Sequence, residues 1–244
     1  MGKILSENKR DLISRAERFL SRPLSSDELK AVFGFADAVV TFYLESCNDS
    51  EIVDLIFSVY GKGSPVKLFI NLATTNDAVL KDLQKIKEFL KPKERKILEH
   101  FDVEAEIISF RQWLFNLLNS DSVPATINAF YFGMNENENG YSLYLIGTNN
   151  FDRDNSEWAC NADWVPECRV APLYQLSNII NKMKGLKTQP WIIAQAIAII
   201  VIKTVFERNI DQIRQLIGKN KLHVATGFDE GDLYYINTPM YSDD

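Results

Sequence analysis

The 244-residue sequence predicts an α+β protein, in which a helical N-terminal half packs with a small antiparallel sheet built from two hairpins and with further helices. The first observation behind this prediction is the helical periodicity of apolar residues throughout the N-terminal half. The second is a run of alternating aromatic and aliphatic residues around a polar turn at 125–148, which is typical of a hairpin. The third is another pair of short apolar runs near residues 222 and 233. Because helices and strands are segregated rather than alternating, we do not expect a parallel βαβ sheet.

Six or seven helices are predicted in the N-terminal half. The first covers residues 7–20 and ends before Pro23, because the residue that precedes a proline disfavours helical geometry. Ser25 and Glu28 match a capping box, from which a long helix should run to Leu44. Glycine, proline and small polar residues separate the remaining segments, at 49–60, 66–74, 77–90, 93–101 and 103–120, the last capped by Asp102. Residues 66–74 could be helix or strand, and helix is favoured because the neighbouring segments are helical.

The first predicted hairpin has arms at 127–132 and 141–146, joined by a turn at Asn137-Glu138-Asn139-Gly140. Both faces of its arms are apolar. We therefore expect the hairpin to be covered on both sides, with the helices as the covering material.

Three helices and a second hairpin complete the predicted C-terminal half. The helices begin at Pro172-Leu173, at Thr188 and at Asp211, and Gly185 and Gly218 end the first and third of them. The second hairpin has arms at 222–226 and 233–236. Since strands are few, both hairpins should share one sheet. We divide the chain into a helical region, 1–121, and an α+β region, 122–244, which could also form one fused domain.

Composition narrows the class of protein. No apolar segment follows Met1-Gly2-Lys3, so a secretory signal is not expected. The longest apolar run, 191–202, is shorter than the roughly 20 residues that span a bilayer, and it predicts a buried helix rather than a membrane contact. The odd number of cysteines favours a reducing, cytoplasmic setting.

The net negative charge of the chain lies mainly in its second half. The whole sequence carries a net charge of −6, and residues 121–244 contain ten basic and fifteen acidic residues, a net −5. A nucleic-acid-binding protein would show a basic surface instead, so we expect no nucleic-acid partner. An acidic surface suits solubility or a basic protein partner.

The acidic segment, residues 152–157, reads DRDNSE and resembles the start of a calcium-binding loop. The match fails further on, because the sixth position is Glu157 instead of glycine and the twelfth is Asp163 instead of a bidentate glutamate. A solvated or partner-facing patch is therefore favoured over a metal site. We predict no metal and no cofactor.

Two tryptophans follow the acids. Trp158 and Trp164 could be interface anchors, since tryptophan is enriched at binding hot spots. They could equally hold the loop on the sheet as buried indoles, because tryptophan buries a large area wherever it lies. The sequence favours the second interpretation without excluding the first.

Catalytic signatures are scarce. The sequence contains no glycine-rich phosphate loop, no GxSxG elbow and no HExxH helix, and its only histidines are His100 and His223. Cys160 would need an activating neighbour such as His223 to act as a nucleophile. The alternative to a binding role is a metal-dependent hydrolase, in which Asp152 and Asp154 converge with Asp229 and Asp232 of the second hairpin turn.

The run from Phe130 to Pro166, with its YLIG and FDRDNSEWAC motifs and the later turn GFDEGD, resembles a group of bacterial proteins encoded near polymorphic toxins. Those proteins act as immunity proteins or related interaction modules. The resemblance covers the C-terminal half and implies a protein-binding role without catalysis, directed at a basic toxin domain. A third alternative is a structural or regulatory interaction module. The predicted partner-binding residues are Asp152, Asp154, Glu157, Trp158 and Trp164, with Asp229 and Glu230 as a second patch.

Overall fold

The computed structural model describes residues 6–20, 23–24, 26–58, 65–74, 79–138, 140–153, 156–183, 190–228, 233–238 and 240. The fold is α+β, as predicted, and the helices are concentrated in the N-terminal half. The chain divides into two compact units, Met1–Leu68 with Glu230–Asp232, and Phe69–Asp229 with Leu233–Asp244.

The described residues of the first unit up to Ser58 form four helices: α1 Glu7–Leu20, α2 Ser26–Gly34, α3 Asp37–Ser46 and α4 Asp49–Ser58. The long helix predicted from Ser25 to Leu44 is wrong in one respect: the chain leaves the helix after Gly34, and Ala36 is extended (φ −67°, ψ 142°). Glycine at that point weakens the helix. The guanidinium of Arg15 donates to the carbonyls of Leu44 and Cys47 (3.1 and 2.9 Å), which lie at the C-terminal end of α3. Arg15 therefore ties α1 to the end of α3.

Helix α5, Pro65–Thr74, crosses the boundary between the units. The second unit then contains α6–α11 and five strands. Their bounds are α6 Val79–Phe89, α7 Pro92–Leu98, α8 Val103–Ser120, β1 Ala129–Asn137, β2 Gly140–Thr148, a 3₁₀ turn Ser156–Cys160, β3 Val170–Pro172, α9 Tyr174–Met183, α10 Pro190–Arg208, α11 Ile210–Ile217, β4 His223–Phe228 and β5 Tyr234–Tyr235. The second unit thus includes α6–α8. The sequence had instead suggested a helical region that covers residues 1–121.

The sheet has the order β3-β2-β1-β4-β5 and is mixed. Both predicted hairpins are present and share it: β1 pairs antiparallel with β2, and β4 with β5. The expectation of a wholly antiparallel sheet is wrong, because β1 and β4 run parallel, from Ala129 opposite His223 to Met134 opposite Phe228. A parallel pair needs a long crossover, which the segment from β2 through α11 supplies. The three-residue edge strand β3 was not predicted, and α9 begins after it instead of at Pro172-Leu173.

The two faces of the sheet have different covers. On the helix-covered face, the ring of Phe132 contacts Phe110 of α8 and Phe206 of α10, with centroids 5.7 and 6.1 Å apart. On the opposite face, Tyr131 packs with Trp158, which belongs to the segment after β2. The expectation that helices cover both faces is thus wrong: a loop covers the second face. That loop contains the acidic segment.

Helix α10 is buried along its length, as its sequence predicts. It is long and apolar enough to cross a membrane, yet 89% of its most apolar window is buried inside the fold, as in the core helix of a globular protein. Its N-terminal proline is in the first turn, as expected, whereas Thr188 lies outside the described residues.

Candidate functional site

The segment between β2 and the bridge at Trp164, residues 149–163, forms a closed loop that we call the return loop. The backbone N–H groups of Asp163 and Trp164 both donate to the carbonyl of Gly147 (2.9 and 3.0 Å), and the Gly147 N–H donates to the Trp164 carbonyl (2.9 Å). The loop thus ends where it began, as in the compact Ω-loops that often carry function.

Asp163 closes the base of the return loop. Its Oδ2 accepts hydrogen bonds from the backbone N–H of Asn149 (2.8 Å) and from the hydroxyl of Thr148 (3.2 Å). The sequence singled out Asp163 only as a failed calcium ligand. Its carboxylate instead joins the first and last residues of the loop.

The two tryptophans hold the return loop from opposite faces of the sheet. Trp164 is buried on the helix-covered face, where its indole stacks on Phe130 with centroids 5.6 Å apart and planes 24° apart. Its six-membered ring also lies against Gly147, where a Cβ would approach within 3.0 Å of it. Trp158 is 3% exposed on the loop-covered face. The loop therefore wraps one edge of its own hairpin.

Trp158 is the centre of an aromatic cluster, which consists of Tyr131, Phe151, Trp158 and Tyr235. The indole centroid lies 5.3 Å from Phe151 and 6.4 Å from both tyrosines. The indole N–H donates to the Tyr235 hydroxyl (3.4 Å), which in turn donates to the Arg153 carbonyl (3.3 Å). These contacts hold the backbone at Arg153 against the aromatic cluster.

The predicted partner-binding residues fall into three groups. Asp152 and Glu157 are exposed on the return loop, as their prediction requires. Trp158 and Trp164 are buried, so these indoles take the structural role that was the alternative interpretation of them. The remaining three, Asp154, Asp229 and Glu230, lie outside the described residues.

Among the described residues, no group of three or more His, Cys, Asp or Glu side chains could hold a metal ion. The hydrolase alternative depends on Asp154, Asp229 and Asp232, which are not among those residues, so it stays a prediction. His223 stacks on Phe151 with centroids 3.5 Å apart and planes 9° apart, which places this histidine beside the aromatic cluster.

The loop-covered face carries a second feature, a cleft, that was not predicted from the sequence. Asn135, Tyr144, Arg169 and Val170 line an open cleft of about 310 Å³. These residues come from β1, β2, β3 and the position just before β3, so only the pairing of the edge strand brings them together. One signal was present: Gly133 inside a strand often marks a close approach by a neighbouring group.

A buried carboxylate lies between α8 and α9. Glu106 is fully buried, and its Oε2 accepts the backbone N–H of Leu176 (3.0 Å) in the first turn of α9. Burial raises the pKa of Glu106 above its usual range, while hydrogen bonds from the backbone of Leu176 and Gln175 act against the rise. Glu106 therefore caps α9 from another helix.

Comparison of the chain with protein-family models, with curated proteins and with solved structures found no match. No matching protein therefore indicates a function for the chain. Two elements stand out on one face of the sheet: exposed carboxylates on a loop held by buried rings, and a cleft that contains a guanidinium.

Proposed function

We propose that the chain is a non-catalytic acidic binding protein, most concretely an immunity protein that neutralises a cognate bacterial toxin through its return loop. One observation carries this proposal. The carboxylates of Asp152 and Glu157 are exposed on a loop that is held at Trp158 by buried aromatic rings and closed at its base by the Asp163 carboxylate.

A loop that is ordered before binding loses little conformational entropy when a partner arrives. Here Trp158 and Trp164 hold the described part of the loop from the two faces of the sheet, while Asp152 and Glu157 are exposed. The buried rings and the exposed acids thus have separate tasks. The rings stabilise the loop, and the acids contact the partner.

A basic partner fits the charge of this half of the chain, which carries a net −5 over residues 121–244. Complementary charge raises the rate of encounter and fixes the register of the complex. Inhibition of a toxin by this route needs no catalysis, only occlusion of a basic surface.

The test is the double substitution Asp152→Lys/Glu157→Lys. The variant is assayed for binding to a toxin whose gene neighbours the gene of this protein, and for protection of cells that express that toxin. Both residues are exposed, so the variant should melt close to the wild type, since surface changes cost about 0.5 kcal/mol or less each. We expect a slower association, most strongly at low salt, and loss of protection.

A matched control is Glu88→Lys/Glu99→Lys, which changes the net charge equally at exposed positions of α6 and just after α7. This variant should bind and protect like the wild type. If both double variants weaken binding equally, the effect comes from overall charge and not from the return loop. If Asp152→Lys/Glu157→Lys still binds and protects, the loop is solvated surface and the proposal fails. A gene neighbourhood without a toxin would also count against it.

A further inference from the structure

The cleft on the loop-covered face is built by three adjacent strands and lies beside the aromatic cluster. The described residues that line it are Asn135 of β1, Tyr144 of β2, Val170 of β3 and Arg169, which immediately precedes β3. Tyr144 also packs edge-on against Tyr131 of the cluster, with centroids 6.0 Å apart. The cleft therefore occupies the part of this face that continues beyond the return loop.

The register of the sheet determines the position of Tyr144, the aromatic residue that lines the cleft. Tyr144 lies opposite Gly133 on one side and opposite Val170 on the other. A Cβ on Gly133 would come within 2.1 Å of the Tyr144 ring, so the ring occupies the space that a side chain at 133 would fill. The missing side chain lets the tyrosine lie close against the sheet.

Arg169 supplies the charge of the cleft. Its side chain is exposed, and its guanidinium carbon is 6.0 Å from the centroid of the Tyr144 ring. Among the described residues, no carboxylate forms an ion pair with it. A guanidinium presents paired N–H donors whose geometry matches a carboxylate, and the Asn135 carboxamide adds a further donor. The Tyr144 ring and the Val170 methyl groups offer apolar contact beside them.

We infer that this cleft binds a carboxylate-bearing group. Arg169 would anchor the carboxylate, Asn135 would donate a further hydrogen bond, and Tyr144 and Val170 would contact the apolar part of the ligand. A volume of about 310 Å³ lies at the small end of ligand sites, so it suits an organic acid or one acidic residue of a polypeptide. Arg169 is the one cation among the described lining residues, and a single positive charge suits a singly charged anion better than a phosphate dianion. This site is separate from the acidic carboxylates of the return loop and does not depend on their role.

The experiment follows the backbone amide resonances of Asn135, Tyr144, Arg169 and Val170 in isotope-labelled full-length protein during titration. The first probe is phenylacetate, with phenylacetamide as its uncharged counterpart. The second is a tripeptide blocked at both ends with glutamate in the middle, compared with the same peptide containing glutamine. We expect shifts with a carboxylate and binding about tenfold weaker with its amide, since a charge-assisted pair is lost. Binding of phenylacetate alone identifies a free acid as the ligand class, and binding of the glutamate peptide identifies an acidic residue.

Substitutions separate a specific site from general attraction of anions. Arg169→Gln should weaken binding of the responding carboxylate about tenfold, and Arg169→Lys should weaken it less, because a lysine keeps the charge but loses the paired geometry. Arg153→Gln removes another exposed guanidinium, that of the return loop, and should leave the affinity unchanged. Thermal melts of each variant confirm that the fold persists.

Two outcomes would overturn the inference: no shift of the cleft resonances with either carboxylate at millimolar concentration, or equal affinity in Arg169→Gln and the wild type. The Asp152→Lys/Glu157→Lys variant separates this inference from the proposed function. It should bind the carboxylate at least as tightly as the wild type, since it removes negative charge from the same side of the molecule, even where it no longer binds a toxin.

Discussion

The ammonium group of Lys203 lies 3.6 Å from Oδ2 of Asp82, with both side chains almost completely buried. Lys203 also donates to the carbonyl of Leu72 (3.3 Å), and Lys85 contacts the other Asp82 oxygen (3.1 Å). Helices α5, α6 and α10 thus meet at an ionic cluster beside an otherwise apolar helix. Burial of two charges is costly. Removing a single partner therefore destabilises the fold, because it leaves the other charge buried without compensation.

Asp82→Ala should destabilise the protein by about 3–5 kcal/mol, because it leaves the Lys203 ammonium buried without its carboxylate. Lys203→Met should cost clearly less, since a side chain of similar volume replaces the charge and Asp82 keeps its contact with Lys85. Urea denaturation measures both free energies. The exposed Glu104–Arg208 pair is the comparison: Glu104→Gln should cost about 1 kcal/mol or less. An Asp82→Ala cost as small as that of Glu104→Gln would show that the buried pair is hydrated.

Gln195→Met should stabilise the protein by about 1–3 kcal/mol. Gln195 is fully buried in α10, and neither atom of its carboxamide has a hydrogen-bond partner among the described residues. An unsatisfied buried amide costs about that much, and methionine has a similar length without the polar atoms. Thermal and urea unfolding of the two proteins provide the measurement. A destabilised Gln195→Met variant would mean that the amide binds a group that stabilises the core.

Trp158→Ala should destabilise the second unit by about 3–5 kcal/mol, as large aromatic truncations in a core do. Trp158→Phe should cost less, because it keeps ring contact with Phe151 and Tyr131 and loses the hydrogen bond to Tyr235. If the indole were instead a partner anchor, both variants would melt like the wild type and lose only binding. Thermal melts combined with the toxin-binding assay separate these outcomes.

The buried Glu106 predicts a dependence of stability on pH. Its pKa is raised in the folded protein, so an unfolded chain releases this proton first. The contribution of Glu106 to stability is therefore greatest in acid and decreases as the pH rises from about 4.3, where an unfolded glutamate titrates, through the raised folded pKa. The free energy of unfolding of Glu106→Gln, relative to wild type, should rise over that window and then level off. A difference that stays constant from pH 4 to pH 8 would show that Glu106 titrates normally.

Local signals predicted most elements of the fold. Asp102 caps α8 by accepting the N–H of Ala105 (3.0 Å), and Gly218 ends α11 in the left-handed conformation (φ 66°), both as the sequence indicates. The continuous apolar run of α10 and the first hairpin were equally clear. The pairing of strands that are distant in sequence could not be predicted in this way. Nothing in the residues of β1 shows that its second neighbour is β4 in parallel, because pairing partners are selected by packing of the whole unit.

The candidate site shows the same division. Exposure of Asp152 and Glu157 followed from the polarity of their segment, whereas the role of the tryptophans had two interpretations that only burial could separate. Apart from Gly133, the sequence carries no sign of the cleft, since Asn135 and Arg169 are distant in sequence and line it together only through a strand of three residues. A strand that short has too few residues to show alternation.

The parallel pairing of β1 with β4 has a consequence for how the protein is made. On the ribosome, the β1–β2 hairpin emerges first, but the long open side of β1 stays unpaired until residues 223–228 have been translated. Closing a connection of that length is slow and entropically unfavourable, and an exposed apolar strand edge invites association with other chains. The nascent chain therefore passes through a period in which Phe130, Phe132 and their neighbours depend on helices already synthesised, or on chaperones, for cover.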